Sequence, residues 1–184
     1  MSAQEVRMLT NDGVEALGLP PEVALAMKTN VAVMTCLREQ IELLEQAILS
    51  RVRLRRPFRG LRSVDGIGKV LAMTIMLETG DISRFKTVGN YVSYCRCVKS
   101  VRLTNRKAKG QGNAKNGNKY LSWAFIEAAT YAIRWNDQIR KFYQRKCAKT
   151  KRVVALKAVA HKLARACYHI MNDGSQFDVK RAFA

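Results

Sequence analysis

The chain has 184 residues, 48% of them hydrophobic, with 33 Lys plus Arg against 14 Asp plus Glu and a formal charge of +19. That length allows one domain plus an extension and a sizeable core; no run of 18 apolar residues proposes a membrane span, and the mixed polarity of residues 1–19 excludes a secretory signal. A charge this positive opposes compaction unless a polyanion neutralises it, so nucleic acid is the expected partner and a membrane is not.

Five cysteines, Cys36, Cys95, Cys97, Cys147 and Cys167, form no paired pattern. Cys95-x-Cys97 has the spacing of neither a zinc knuckle nor a redox motif, so reduced thiols in a cytoplasmic, nucleoid-associated protein are expected. With His161 and His169 the only histidines, no metal site is expected.

Taken in chain order, residues 1–19 read as a flexible N-terminus. Pro20 and Pro21 stand where a helix can begin, with Glu22 in its first turn. Met34, Leu37, Ile41, Leu44 and Ile48 follow at the a/d spacing of a coiled coil, with Glu39, Glu42 and Glu45 between them. The spacing predicts a coiled-coil-like helix over 20–56, either self-associating or one arm of an intramolecular hairpin. Residues 51–62 then carry six arginines, and Pro57 is expected to end any helix passing through.

Leu61, Val64, Gly66, Ile67, Gly68, Ala72 and Ile75 have the pattern of a helix-hairpin-helix over 61–79. Two glycines allow a tight turn and a close approach, the second helix aims its free N–H groups outward at an anion, and Lys69 adds charge at the mouth. Such an element grips nucleic-acid backbone without reading sequence. Thr87 can cap a short helix carrying Val88, Tyr91, Val92 and Tyr94.

Between Ile82 and Ile126 there are ten Lys or Arg and no Asp or Glu. Within this stretch lies a Gly/Asn-rich basic loop at 98–118, too polar to pack as core, with Lys99, Arg102, Arg106, Lys107, Lys109, Lys115 and Lys119 available to phosphates. Asn116-Gly117-Asn118 opens a strong helix, Asp137 is expected to cap the next, and the last runs from about Thr150 to Met171 before Asn172-Asp173-Gly174. Residues 175–184 read as a tail. Trp123, Trp135 and the tyrosines of these helices are expected in the core. No segment shows strand alternation bounded by hairpin turns, so the fold class expected is all-α.

Asp65, Glu78 and Asp81 are the only acids between Arg51 and Phe125 and do not suggest a metal cage for phosphodiester chemistry. A hydroxyl among cations, Ser100 or Thr104, is the better candidate for a nucleophile.

The order Gly66-Ile67-Gly68, then Glu78-Thr79-Gly80-Asp81-Ile82-Ser83-Arg84-Phe85, a tyrosine-bearing helix, a basic loop, Lys115-Asn116-Gly117-Asn118-Lys119-Tyr120-Leu121 and a basic C-terminal helix resembles a known family. It is similar to the C-terminal half of bacterial insertion-sequence transposases of the DEDD, RuvC-like class, the bridge-RNA-guided recombinases related to the Piv DNA invertase. The resemblance covers about residues 59–174. It implies a helical transposase domain over 57–174 acting in DNA transposition, a serine that joins covalently to DNA, and an N-terminal RuvC-like domain holding divalent metal on four carboxylates. It also implies homo-oligomers, or association with a full-length transposase, on DNA and a structured guide RNA. Two departures stand out. No segment of this chain corresponds to the RuvC-like domain, so no cofactor is expected on it and the enzyme is expected to be incomplete alone. The serine position matches Thr104, with Ser100 the alternative, and a threonine hydroxyl is more hindered at Cβ. A rival expectation is a non-catalytic helix-hairpin-helix protein for structured DNA or RNA, or a regulator of full-length transposase.

Overall fold

The computed structural model describes residues 2–52, 56–98, 101–104, 107–111 and 116–184, with residues 3, 7, 101–104 and 108–111 described by backbone alone. The chain divides into two compact units, Met1–Arg51 and Val52–Ala184. It is all-α in class, with one short ribbon among the described residues.

In the first unit, the stretch expected to be flexible holds two single-turn helices. α1 (Ala3–Arg7) has a reciprocal cap between Ser2 and Glu5, and α2 (Asn11–Glu15) is capped by Thr10, whose hydroxyl accepts from the Gly13 N–H at 3.2 Å. Val14 is fully buried, and Lys28 donates to Glu15 at 2.5 Å, which ties α2 to the long helix α3 (Pro21–Val52). At about 1.5 Å per residue, 32 residues make a rod of roughly 48 Å. The a/d residues Met34, Leu37, Ile41, Leu44 and Ile48 are 37 to 59% exposed, so the described residues of the first unit leave that stripe open.

The second unit is built around two helices, α7 (Lys119–Trp135) and α9 (Arg152–Asp173), which pack on one another. Their buried positions are rich in small residues: Ala124, Ala128, Ala129 and Ala132 on α7, and Ala155, Ala160 and Ala164 on α9, are all fully buried. Small side chains let helix backbones approach closely, and dense packing then supplies the dispersion that bulk would otherwise provide. Around this pair lie α4 (Arg56–Arg62), α5 (Lys69–Thr79), α6 (Val88–Tyr94) and α8 (Asp137–Cys147). Gly60 brings α4 onto α9: a Cβ there would lie 2.6 Å from Ile170 Cγ2. Tyr91 centres an aromatic cluster with Phe85, Phe125 and Tyr168 at 5.2, 6.4 and 5.8 Å between ring centroids, and its hydroxyl lies 3.1 Å from that of buried Thr79.

Pro57 lies in the first turn of α4, after the described end of α3 at Val52, where a missing N–H costs nothing because the first turn has no intrahelical acceptor for it. Several expectations are corrected. The cap of α8 is Asn136 rather than Asp137: its Oδ1 accepts from the N–H groups of Gln138 and Ile139 at 2.9 and 3.1 Å. The basic loop contains an antiparallel ribbon, β1 (Val101–Thr104) and β2 (Lys107–Gln111), with a register shift between Val101 and Leu103. Alternation is weak in so cationic a segment, which is why the ribbon is not legible as strands. The residues read as a tail include α10 (Val179–Phe183), whose Phe183 is buried edge-on against Phe142 at 5.4 Å. Tyr91 and Tyr168 are core, as expected, but Trp135 is 80% exposed and Trp123 48%.

The termini of α6, α7 and α9 do follow their sequence signals. Thr87 accepts from Asn90, Asn118 caps α7, and Gly174 closes α9 in the left-handed conformation at φ 70°.

Candidate nucleic-acid interface

Two basic elements of the second unit stand at opposite ends of α7. The first is the turn between α4 and α5. Val64 and Ile67 are buried and anchor it, and Gly68 precedes α5 without a side-chain cap. Gly66, at φ 84°, faces the C-terminal half of α7: a Cβ would lie 2.2 Å from the Ala128 carbonyl oxygen and 2.7 Å from the Ala132 nitrogen. Both conditions admit only glycine. The close approach expected of this glycine is therefore to α7. Gly68 has open space around it, and it opens α5 with the first N–H groups of that helix beyond it.

Gly66, Gly68 and Lys69 are brought together with Arg62, Tyr131 and Trp135 around a hollow of about 560 Å³. Tyr131 is 46% exposed, so this wall of the hollow is aromatic and accessible. The acid of the turn, Asp65, accepts from Asn136 Nδ2 at 2.7 Å and so braces the cap of α8. Periodicity could not have found the aromatic wall, because the 3.6-residue repeat that places alanines inward says nothing about whether the outward residue is an aromatic with a task.

The second element is the basic ribbon. Its two ends are pinned where α6 finishes and α7 starts. The Asn118 N–H donates to the Tyr94 carbonyl at 2.7 Å, and the Arg96 guanidinium donates twice to the Gly117 carbonyl, at 3.2 Å from Nε and 2.9 Å from Nη2. A Cβ on Gly117, at φ 92°, would lie 2.4 Å from that Tyr94 oxygen. Arg96 itself has φ 55°, and the Arg96 and Cys97 N–H groups bond back to Ser93 and Val92, which is the helix ending usually given to glycine. A left-handed arginine is costly and is held here by its side-chain bonds.

Asn118 joins these parts. Its Oδ1 accepts from the Tyr120 and Leu121 N–H groups at 2.8 and 3.0 Å, while its Nδ2 donates to Glu78 at 2.7 Å and reaches Tyr94 Oη at 3.5 Å. Hydrogen bonding from Asn118, then from Arg84, holds the Tyr94 hydroxyl below the ordinary phenol range. Arg84 stacks its guanidinium 4.6 Å from the Phe85 ring centre and 4.8 Å from that of Tyr94. Asp81 accepts from Ser83 at 2.9 Å and begins a single 3₁₀ turn, Ile82–Arg84. Each of the three acids in this region is thus occupied in holding a turn or a cap.

On the ribbon, Lys107 is exposed and its backbone pairs with that of Thr104, the last residue of β1. Lys119 opens α7 with its ammonium 4.9 Å from the Tyr120 ring centre. Lys99, Ser100, Arg106 and Lys115 lie outside the described residues, and Arg102, Thr104 and Lys109 are described by backbone alone. Burial pushes the Cys95 and Cys167 thiols up and Cys97 to about 12, so these cysteines are neutral packing groups and not nucleophiles. Among the described residues no cluster of three His, Cys, Asp or Glu could hold a metal ion, and no helix is long and apolar enough to cross a membrane.

Residues 59–144, which include both the glycine turn and the ribbon, match the Transposase IS116/IS110/IS902 family. The chain is also 23% identical, over 146 residues, to an uncharacterized 43.6 kDa protein of insertion element IS110 from Streptomyces coelicolor. That similarity takes in 79% of this chain, which spans 36% of the length of the relative. The resemblance carried by the sequence motifs begins at the same residue and runs on to about residue 174. Over these residues the chain is similar to insertion-sequence transposases of the IS116/IS110/IS902 family.

Proposed function

We propose that this chain is the DNA-binding C-terminal part of an insertion-sequence transposase, acting in DNA transposition. The observation that carries the reading is the placement of two cationic elements at the two ends of one rigid helix, with the acids near them already bonded within the fold. The turn with Gly68 and Lys69 acts as a helix-hairpin-helix that holds backbone phosphate through N–H groups and charge. The ribbon with Lys107, together with Lys99, Arg102, Arg106, Lys109, Lys115 and Lys119, holds the strand near the point of exchange. Pinning at Gly117 and Asn118 supports this role, since it stops the ribbon's base from moving while cations engage DNA. The exposed a/d stripe of α3 pairs as a coiled coil with a second copy or with a full-length transposase. Divalent metal and the four carboxylates belong to a RuvC-like domain outside this chain, and a structured guide RNA is a second ligand for the same charge.

The test is binding of the purified chain to duplex DNA, branched DNA and a structured RNA across a salt series. A log–log fall of affinity with salt, at about −0.9 per phosphate neutralised on duplex, is expected. No binding near physiological salt would sink the reading. With a RuvC-like domain supplied in trans, Thr104→Ala or Ser100→Ala should abolish covalent DNA linkage while leaving binding intact. Linkage that survives both changes would favour the non-catalytic binding protein.

A further inference from the structure

We propose that Trp135 and Tyr131 form a stacking platform for an unpaired base beside the glycine turn, so that the preferred ligand is a duplex carrying a single-stranded arm. This rests on the nucleic-acid reading above and adds the form of the strand.

An indole that is 80% exposed stabilises no core, and α7 fills its buried side with alanines instead. Trp135 and Tyr131 lie one turn apart on the outward face and share the 560 Å³ hollow with the turn that carries Arg62 and Lys69. The hollow therefore has an aromatic wall and two cations, Arg62 and Lys69, in its lining, while the one acid there, Asp65, is bonded to Asn136. An apolar protein segment would meet those charges. A strand with an unstacked base offers a π-face to the aromatic wall and phosphate to the cations, and base–aromatic stacking tolerates any sequence. A paired base within an intact duplex cannot present that face. Further along the same side of α7, Tyr120 and Trp123 are 52 and 48% exposed. Glu127 lies between the two aromatic pairs and would repel phosphate, so the platform is assigned to the pair at the turn.

The chain has two tryptophans, so Trp123→Phe leaves Trp135 as the sole indole. Titrations of the full chain with a blunt duplex, the same duplex bearing a single-stranded arm, and the free single strand, at one fixed salt, give the readout. The armed duplex should quench Trp135 fluorescence more than the blunt one and bind more tightly. Trp135→Ala should lower affinity for the armed duplex about five- to hundredfold, the scale of one lost stack, while affinity for the blunt duplex stays within about twofold. Trp135→Phe should recover part of the difference. Equal binding of blunt and armed duplex by the unsubstituted chain would overturn the platform while leaving DNA binding standing. Absence of all nucleic-acid binding would overturn both. If Trp135→Ala leaves DNA affinities unchanged but converts an oligomer to a monomer in sedimentation velocity, a second copy covers this face and the proposal falls. Circular dichroism melts of the same variants check that the fold is unaltered.

Discussion

α3 and α7 are both amphipathic helices, and they use their side chains in opposite ways. α3 carries Leu37, Ile41 and Leu44 in regular register and leaves all three more than half exposed. α7 buries alanines and presents Trp123, Tyr131 and Trp135 to solvent. Exposure of large residues therefore marks both helices, although α7 also buries Leu121 and Phe125. A narrow seam of large residues needs a partner helix to cover it, whereas a seam of small residues lets neighbouring backbones close directly on it. The contrast divides the molecule into a helix with an exposed apolar stripe and a unit whose interior is already closed.

The largest effect should come from disturbing that closure. Gly66→Val places a branched Cβ where the Ala128 carbonyl stands, and at a positive φ. Strain and overpacking together should cost about 3 kcal/mol or more, read as a large fall in the denaturant midpoint of the second unit. An unchanged midpoint would mean that the turn does not seat on α7.

The exposed seam should respond in the reverse manner. Leu37→Glu with Leu44→Glu should leave the melting of the second unit unaltered and abolish self-association in sedimentation equilibrium, because an a/d seam cannot bury two carboxylates. A monomeric unsubstituted chain would assign the seam to a different partner.

Asn118→Ala removes both the cap of α7 and the bond to Glu78. A loss of about 1–2 kcal/mol is expected, with faster amide exchange at Tyr120 and Leu121 as its local signature.

The smallest effect sharpens the comparison between the two turn glycines. Gly68→Ala meets nothing within 4 Å and lies at an ordinary φ of −81°, so the loss should be only the N-cap preference for Gly over Ala, about 0.5–1 kcal/mol. A drop in DNA affinity larger than that small loss explains would then mark Gly68 as a contact residue, which Gly66→Val could never show.

Much of the fold is legible without coordinates because helix ends are local. Thr87, Asn118 and Gly174 each satisfy or close a helix terminus through their own side chain or their own dihedrals, and all three act where the pattern places them. Pro57 stands near a helix boundary for an equally local reason: a proline forbids the interior of a helix but suits its first turn, and the start of α4 decides which applies. The site is half legible. Gly66, Gly68 and Lys69 are contiguous and stand out as a motif, but Tyr131 and Trp135 join them only because α7 packs against that turn.

The sequence by itself determined the charge, the longer helices, several of their caps and the motifs that match the transposase family between residues 59 and 144. Those properties depend on composition and on neighbours within a few residues. Tertiary structure alone decided that the glycine of the turn serves α7, that an arginine and a glycine pin the ribbon's base, and that two aromatics face solvent beside Lys69. These depend on contacts between residues tens of positions apart, and no local periodicity encodes which surfaces meet.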